Sequence, residues 1–245
     1  MTTSNDNNLG SCGVAAIHQP NFLPWLGFFY KWRQSDVFVR YDDVQFVRRG
    51  YTNRVKIKTQ KGEAWITIPV KQKGNYHQII GEIEIDREAN WKRKLLGTLT
   101  AGYSRAPFFK MYFPRLEEIV ANDFRLLVQL NTALLYWVAG ELNIDVPSVE
   151  ASALENISGA STERLVSVCR ALGASHYLSG FGGQKYQEER LFVENGIQLK
   201  VYNFQHPRYP QLWGDFIPGL SVLDLLFNCG GDSALILEAH SRPEE

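Results

Sequence analysis

Residues 14–32 read VAAIHQPNFLPWLGFFYKW, and this stretch gives the clearest indication of the architecture. Its first residues form an apolar run typical of a buried strand, and residues 24–32 have the spacing of a helix with a proline in its first turn. Residues 36–41, DVFVRY, alternate like a second strand. A strand–helix–strand unit of this kind is typical of a parallel sheet.

The composition is that of an ordinary globular protein. The 245 residues are 44% hydrophobic and 21% charged, with a formal net charge of +0, so no global field attracts nucleic acid or an anionic membrane. No apolar run approaches the roughly 20 residues of a membrane-spanning helix. Residues 1–12 lack the features of a signal peptide, and we expect a disordered tail. The cysteines are scattered, and we expect a cytoplasmic location.

The middle of the chain differs from its two ends. Residues 54–59 and 64–70 predict a β-hairpin with Gly62 in the turn, and residues 123–142 predict the longest helix, with Asp123 as its N-cap. Helices and strands alternate again in the last third. We therefore predict an α/β fold: a Rossmann-like parallel sheet flanked by helices, with a hairpin and helical insertion at about residues 43–145. Residues 13–245 would form a single domain.

Polar residues follow the first predicted strand, at the edge where open α/β sheets bind ligands. His18 and Gln19 end the strand, and Asn21 lies just beyond them. The next helix would point free backbone amides at the same space, which favours an anion. Pro20 and Pro24 would fix the turn. The alternative is a tight turn in which the amides satisfy the backbone and His18 is half-buried.

The second predicted strand ends in Asp42-Asp43-Val44-Gln45. Adjacent side chains on an extended chain point apart, so one aspartate at most would face a ligand. We expect Asp43 to orient a nucleophile and Gln45 to contact the substrate. An aspartate here could also bind a substrate amine, a ribose hydroxyl or Mg²⁺. The alternative is a pair of turn-forming aspartates.

A basic segment follows, RRGYTNRVKIK at residues 48–58. We expect Arg49, Asn53 and Arg54 to bind a phosphate or carboxylate group of the substrate, because arginine can hold such groups in a bidentate fork. Lys56 and Lys58 alternate with apolar residues, which is the pattern of a solvated strand face.

A glycine-rich turn, HYLSGFGGQKY, covers residues 176–186. Ser179, Gly180 and Gly183 are predicted to bind a phosphate or a small ligand, since glycines allow close backbone approach. Tyr186 begins the next predicted helix and is a further substrate-binding candidate. The spacing G-x-G-G departs from the dinucleotide fingerprint G-x-G-x-x-G. An ordinary turn is the alternative.

Residues 204–230 begin with a long loop rich in proline, glycine and aromatic residues. His206 is a candidate general base or acid because imidazole titrates near neutral pH. Tyr209 and Gln211 are candidate substrate contacts. Ser221 is expected to be a helix N-cap, and Cys229 is more typical of a buried thiol than of a nucleophile. No zinc-binding spacing occurs, and we predict no metal site.

Four segments together resemble the WbqC-like protein family: IHQPNFLPWLGFFYKW, DDVQFVRRGYTNRVKIK, HYLSGFGGQKY and FQHPRYPQL with FIPGLSVLDLLFNCG. The resemblance implies a bacterial protein similar to products of O-antigen and other surface-polysaccharide gene clusters. It implies a cytoplasmic role in making or decorating an activated sugar. We expect a transferase that moves an aminoacyl or acyl group to an amino group of that sugar. His18 or His206 would be the base.

The expected partner is a small-molecule substrate, either a nucleotide-linked sugar or ATP with Mg²⁺. We expect no tightly bound cofactor and no nucleic-acid partner, and a homodimer is one expected form. The order of motifs also resembles, distantly, the first unit of class I synthetases and nucleotidyltransferases, although Trp25 and Phe28 stand where histidines would be expected. An ATP-dependent ligase or nucleotidyltransferase, and a non-catalytic binding protein, therefore stay open as alternatives.

Overall fold

The computed structural model describes residues 12–71, 77–180, 182–183 and 187–239. Its strands are β1 Val14–His18, β2 Val37–Arg40, β3 Arg54–Thr59, β4 Gly62–Thr67, β5 Ser148–Glu150, β6 His176–Gly180 and β7 Gln198–Tyr202. Its α-helices are α1 Leu26–Arg33, α2 Trp91–Tyr103, α3 Phe109–Ala121, α4 Leu127–Glu141, α5 Ser161–Ala171, α6 Glu189–Glu194, α7 Val222–Cys229 and α8 Asp232–Ala239.

Five strands form a parallel sheet in the order β5–β2–β1–β6–β7. Numbered within this sheet alone, the strands run 3-2-1-4-5, as in the first five strands of the Rossmann fold. A separate antiparallel hairpin pairs β3 with β4. The predicted α/β, Rossmann-like parallel sheet flanked by helices, with an inserted hairpin, is confirmed.

The central strands are buried because they are continuously apolar. Ala15 and Ala16 of β1 and Phe38 and Val39 of β2 have no exposed surface. Parallel strands are covered on both faces, and they therefore lack the apolar–polar alternation of a half-exposed strand.

The chain divides into two compact units. The sheet unit consists of Met1–His18, Gln34–Arg40 and Val146–Asn203, and the helical unit of Gln19–Arg33, Tyr41–Asp145 and Phe204–Glu245. The predicted insertion at about residues 43–145 falls within the helical unit. Residues 1–11 of the predicted tail lie outside the described residues, and Cys12 is buried.

The proline-rich turn of residues 19–25 is fixed within the helical unit by two buried polar side chains. Asn131 on α4 donates from Nδ2 to the carbonyl oxygens of Pro20 and Thr52, at 2.7 and 2.8 Å. The Ser221 hydroxyl donates to the Leu23 carbonyl at 2.9 Å. These side-chain hydrogen bonds satisfy backbone carbonyl groups that lie outside helices and strands. The turn is therefore held by side chains as well as by its prolines.

The predicted N-cap of the longest helix is wrong. Helix α4 begins at Leu127, and the Leu126 backbone N–H donates to the Gln129 side chain at 3.1 Å. Asp123 lies earlier and pairs with Arg87. The predicted cap of α7 is confirmed, since the Ser221 hydroxyl accepts a hydrogen bond from the backbone N–H two residues later.

No helix of the described residues is long and apolar enough to span a membrane.

Candidate functional site

The carboxyl ends of the parallel strands bring one row of residues together in the sheet unit. The register pairs His18 with Arg40, Arg40 with Glu150, and Gly180 with Tyr202. Continuing the β1–β6 register by two residues places Gly180 beside His18. Residues in register on neighbouring strands point to the same face. We call these five residues the edge row.

The edge row contains the topological switch point of the sheet. Strand β1 pairs with β2 on one side and with β6 on the other, so the chain leaves β1 in one direction and later returns to its opposite side. In open α/β sheets, ligands bind in the crevice outside the carboxyl ends of the strands at such a point. His18 and Gly180 are the row members on the two strands that border it.

Arg40 is buried and held in place by two partners. Its Nη1 donates to the Ser148 hydroxyl at 2.6 Å, and its Nη2 lies 3.2 Å from a Glu150 carboxylate oxygen. The Arg40 side chain is 5% exposed, whereas that of Glu150 is 42% exposed. A guanidinium oriented in this way loses little conformational freedom when it binds a further anionic group.

Gly180 leaves space in the row that a Tyr202 side chain partly covers. A Cβ atom built on Gly180 would lie 3.2 Å from the Tyr202 hydroxyl oxygen. The phenol therefore lies over the glycine backbone, and the place beside His18 contains no aliphatic side chain. A residue larger than glycine would push against the phenol.

The glycine-rich turn after β6 is closed by its own side chains. The Ser179 hydroxyl donates to the Gln187 carboxamide oxygen at 2.7 Å, and the Gly183 N–H donates to the Gly180 carbonyl at 2.9 Å. A Cβ on Gly183 would lie 2.9 Å from the Ser179 hydroxyl oxygen, which explains the glycine there. Tyr186 lies outside the described residues.

The helical unit contains a second polar group, buried from solvent. Lys58 and Asp224 both have 0% exposed surface. The Lys58 ammonium donates to the Gln211 side chain at 3.0 Å and to the Asp215 carbonyl. The interpretation of Lys58 as part of a solvated strand face is wrong, because α2 packs on β3 and the Lys58 N–H donates to the Tyr103 hydroxyl at 2.9 Å.

We call Lys58, Tyr103, Tyr209, Gln211 and Asp224 the buried cluster. Burial raises the pKa of Asp224 to about 6. Interactions with the two tyrosine hydroxyls and the Gln211 carboxamide, and the charge of Lys58, oppose this rise. Burial also raises the pKa of Tyr209 above its ordinary value, with a further contribution from the Asp224 charge. Burial raises the pKa of Tyr103 as well, so both tyrosines keep their protons beside the carboxylate.

His206 lies among aromatic rings in the helical unit. Four rings have centroids 5.6 to 6.3 Å from that of His206; they belong to Trp25, Phe204, Tyr209 and Phe216. The His206 Nδ1 lies 2.9 Å from the Pro207 carbonyl oxygen, which can only accept a hydrogen bond. A neutral imidazole therefore carries its proton on Nδ1 and its lone pair on Nε2, which is the form that acts as a base.

Three predicted amide contacts lie at buried or half-buried positions of the helical unit. Gln19 accepts from the Thr52 hydroxyl at 3.5 Å, and Asn53 donates from Nδ2 to the Ile68 carbonyl at 3.0 Å. Asn21 is 7% exposed. Asn53 thus has a role in holding the start of the hairpin, and a role of these amides in binding substrate stays a prediction.

The remaining predicted residues of the helical unit lie nearer the surface. Asp43 is half-buried, and Gln45 and Arg49 are exposed. Arg54 stacks its guanidinium over the Trp65 ring at 4.1 Å. The aspartate and the two arginines are thus partly or fully accessible to solvent.

The predicted site residues fall in both units. His18, Ser179, Gly180 and Gly183 belong to the sheet unit, and their shared edge follows from the sheet register. The described others belong to the helical unit: Gln19, Asn21, Asp43, Gln45, Arg49, Asn53, Arg54, His206, Tyr209 and Gln211.

A family model for the WbqC-like protein family matches residues 19–236. The chain belongs to the WbqC-like protein family. It is 37% identical over 220 residues to the uncharacterized protein Rv1507c of Mycobacterium tuberculosis (strain ATCC 25618 / H37Rv), an alignment that covers 89% of this chain and 94% of the relative. No solved structure matches the chain.

This WbqC-like chain contains functional candidates that sequence reasoning missed. Arg40 and Tyr202 join the edge row only because β2 and β7 lie on opposite sides of the β1–β6 pair. Lys58 and Asp224 meet in the buried cluster although most of the chain separates them in the sequence. A charged residue at the end of an apolar strand was the one available signal for Arg40.

Metal and thiol chemistry find little support in the described part of this WbqC-like chain. Among the described residues, no group of three or more His, Cys, Asp or Glu side chains could hold a metal ion. Cys12, Cys169 and Cys229 are buried free thiols. Burial raises the pKa of Cys229 to about 11, with a contribution from the Asp224 charge, so the thiolate needed for nucleophilic attack is disfavoured.

Proposed function

We propose that the protein is a transferase of bacterial surface-polysaccharide precursor biosynthesis, acting in the cytoplasm. It would move an acyl or aminoacyl group to an amino group of a nucleotide-activated sugar. The observation that carries this proposal is the edge row, which combines an imidazole, a buried arginine and a glycine beside a tyrosine hydroxyl at the switch point of a Rossmann-like sheet. Membership of the WbqC-like family supports the polysaccharide setting.

His18 is our candidate base. The substrate amine would attack the carbonyl carbon of the acyl donor, so that a carbon–nitrogen bond forms and the bond to the leaving group breaks. The amine proton would pass to the His18 imidazole, and the leaving group would depart with the bonding electron pair. An imidazole suits this role because its unprotonated ring nitrogen can accept a proton.

Arginines supply the positive charge that a phosphorylated substrate needs. In the sheet unit, Arg40 is already oriented by Ser148 and Glu150. In the helical unit, Arg49 is exposed and Arg54 is stacked on Trp65. We assign these guanidinium groups, each within its own unit, to phosphate or carboxylate binding. A role of Asp43 in orienting a nucleophile stays a prediction.

His206 is the alternative base, because its Nδ1 position beside the Pro207 carbonyl favours the tautomer with a basic Nε2. Its aromatic surroundings also suit a planar or sugar-like ligand. Separate His18→Ala and His206→Ala variants distinguish the two assignments, since only the variant of the true base should lose turnover while keeping the fold.

A second candidate function is an ATP-dependent ligase or nucleotidyltransferase. The strand order and the glycine-rich turn after β6 favour it, because both occur in nucleotide-binding sheets. This function predicts Mg²⁺-dependent binding of ATP and release of pyrophosphate or ADP, whereas the acyl transferase needs neither.

A thermal-shift panel tests the proposal. The probes are UDP-, CDP- and dTDP-linked sugars, ATP with and without Mg²⁺, and acyl-CoA. A ligand that binds the folded state raises the midpoint according to the ratio of its concentration to its Kd. We expect a nucleotide sugar to give the largest shift. Stabilisation by ATP alone, dependent on Mg²⁺, would favour the second function, and no shift with any nucleotide would contradict both.

The His18→Ala variant needs a control that shows whether loss of a histidine side chain from the sheet alters folding. His176 lies at the opposite end of β6 from Gly180, where its Nδ1 contacts the Gly13 carbonyl at 3.3 Å. His176→Ala removes the same kind of side chain from the same sheet, away from the edge row. It should leave the nucleotide-sugar shift intact, while His18→Ala should reduce it.

A further inference from the structure

An exposed aromatic pair lies on the surface of the helical unit. Tyr51 is 55% exposed and Trp65, on β4, is 41% exposed. Their ring centroids are 5.8 Å apart with an interplanar angle of 46°. Large aromatic side chains left in contact with water and with each other often mark a binding surface.

Two basic residues lie against the same indole. The Arg54 guanidinium carbon is 4.1 Å from the centroid of the Trp65 ring, and the Lys56 ammonium is 5.4 Å from it. The hairpin register explains this, because Lys56 lies directly opposite Trp65 and Arg54 is two positions away on the same strand. Alternate residues of a strand share a face. The cations hold the indole in one orientation.

The two cations differ in how far protein groups already satisfy them. The Lys56 ammonium pairs with the Glu63 carboxylate at 2.7 Å. The Arg54 Nε is buried and has no hydrogen-bond acceptor within the part of the chain that the structure describes. A guanidinium that has no carboxylate partner among the described residues and is stacked on a ring keeps its charge for an anionic ligand.

We propose that Tyr51 and Trp65, together with Arg54 and Lys56, form a platform that binds a sugar ring carrying a phosphate group. The indole would take the C–H face of the ring, and Arg54 would donate to the phosphate. Glu63 would accept hydrogen bonds from sugar hydroxyls. A nucleic-acid strand suits the surface less well, because Glu63 would repel a second phosphate and the chain has a net charge of +0.

The proposal deepens the proposed function, on which it rests for the ligand class. N-acetylglucosamine 1-phosphate is the probe, and isothermal titration calorimetry is the measurement. N-acetylglucosamine and inorganic phosphate test each half of the ligand alone. UDP-N-acetylglucosamine tests whether the platform also binds the phosphate when it is part of a pyrophosphate. A short single-stranded oligonucleotide tests the nucleic-acid alternative.

We expect saturable binding of the sugar phosphate and about tenfold or greater weakening in Trp65→Ala. Trp65→Phe, which keeps an aromatic face, should lose less affinity. Arg54→Met should weaken binding of the sugar phosphate and leave binding of the neutral sugar unchanged. Tyr136→Ala is the matched control, because Tyr136 is also an exposed aromatic residue, 46% exposed, on α4. It should bind like the wild type.

Several results would overturn the platform. These are no binding of the sugar phosphate by the wild type, unchanged affinity in Trp65→Ala and Trp65→Phe, or tighter binding of the oligonucleotide than of the sugar phosphate. Its failure is distinguishable from failure of the proposed function. If His18→Ala loses nucleotide-sugar binding while Trp65→Ala binds the sugar phosphate as wild type does, the proposed function is supported and the platform is contradicted.

Discussion

The edge row and the buried cluster are both polar, yet they differ in their access to solvent. In the edge row, the His18 side chain is half-buried and the Glu150 side chain is 42% exposed. In the buried cluster, Lys58 and Asp224 have no exposed surface. A ligand can reach the first arrangement, whereas the second is enclosed by the protein that surrounds it.

This difference in solvent access means that charged residues affect stability in the buried cluster and ligand binding in the edge row. Removing a carboxylate and an ammonium from water costs several kcal/mol for each ion, and their interactions with neighbours must offset that cost. The buried cluster therefore has its main effect on the stability of the helical unit. In the edge row, the buried Arg40 already has the Ser148 hydroxyl and the Glu150 carboxylate as partners, and His18 is half-buried. The main effect of His18 should therefore be on binding.

The largest expected effect comes from removing the buried cation. Lys58→Met leaves Asp224 without a nearby positive charge and removes the bonds to Gln211 and Asp215. We expect the free energy of unfolding to fall by about 3–5 kcal/mol, measured by urea denaturation.

Lys56→Met is the matched control, because Lys56 lies two positions earlier on β3 and pairs with the half-exposed Glu63. It should change the free energy of unfolding by no more than about 1 kcal/mol. Equal effects of the two substitutions would show that burial does not distinguish the two lysines. The double variant Lys58→Met with Asp224→Leu should recover part of the lost stability, because it removes both charges.

The next effect is a dependence of stability on pH. Burial raises the pKa of Asp224 from 3.8 to about 6. Because the folded state binds the proton more tightly, this contribution is fully present below pH 3.8 and is lost as the pH rises through 6. Relative to wild type, Asp224→Asn should gain up to about 3 kcal/mol between pH 4 and pH 7.

Urea denaturation of wild type and Asp224→Asn at pH 4, 5, 6 and 7 measures this gain directly. A difference in unfolding free energy that stays constant over the range would mean that Asp224 has the same proton affinity in the folded and unfolded states.

A smaller effect is expected at the edge row itself. Gly180→Ala would place a Cβ 3.2 Å from the Tyr202 hydroxyl oxygen, and we expect a loss of about 1 kcal/mol, in the lower part of the range for overpacking. Tyr202→Phe removes that oxygen and should relieve much of the loss when combined with Gly180→Ala. Thermal and urea denaturation of the two single variants and the double variant measure the coupling.

Gly97→Ala is the control for this pair. Gly97 lies inside α2, and no neighbouring atom lies within 4 Å of the position that an alanine methyl group would take there. Alanine should therefore stabilise the helix by up to about 1 kcal/mol. If Gly180→Ala is as stable as wild type and its effect on stability does not depend on Tyr202, the Tyr202 hydroxyl does not lie against Gly180.

Much of the sheet could be predicted because its signals are local. The apolar run of β1 predicts a buried strand, and Gly62, with a φ of 98°, occupies the hairpin turn as the sequence indicates. Strand ends are also local, so His18, Ser179 and Gly180 could be proposed as neighbours of a ligand from the sequence alone.

The rest could not be predicted because it depends on which elements pack together. Alternation along β3 shows that Lys58 and Lys56 share a face, but it does not show that Gln211 and the Asp215 carbonyl bind the ammonium of Lys58. Arg40 needs β5 beside β2 to meet Glu150. Asp123 resembles a helix cap in the sequence, yet its carboxylate pairs with Arg87, which is distant in the sequence.

The most direct test of the central claim is the affinity of the edge row for a nucleotide sugar. Isothermal titration calorimetry should compare wild type, His18→Ala and His176→Ala with the nucleotide sugar that gives the largest thermal shift. We expect a Kd at least about tenfold weaker in His18→Ala, the loss expected for a hydrogen bond to a charged group, and an unchanged Kd in His176→Ala. Equal affinity in all three proteins would contradict the central claim.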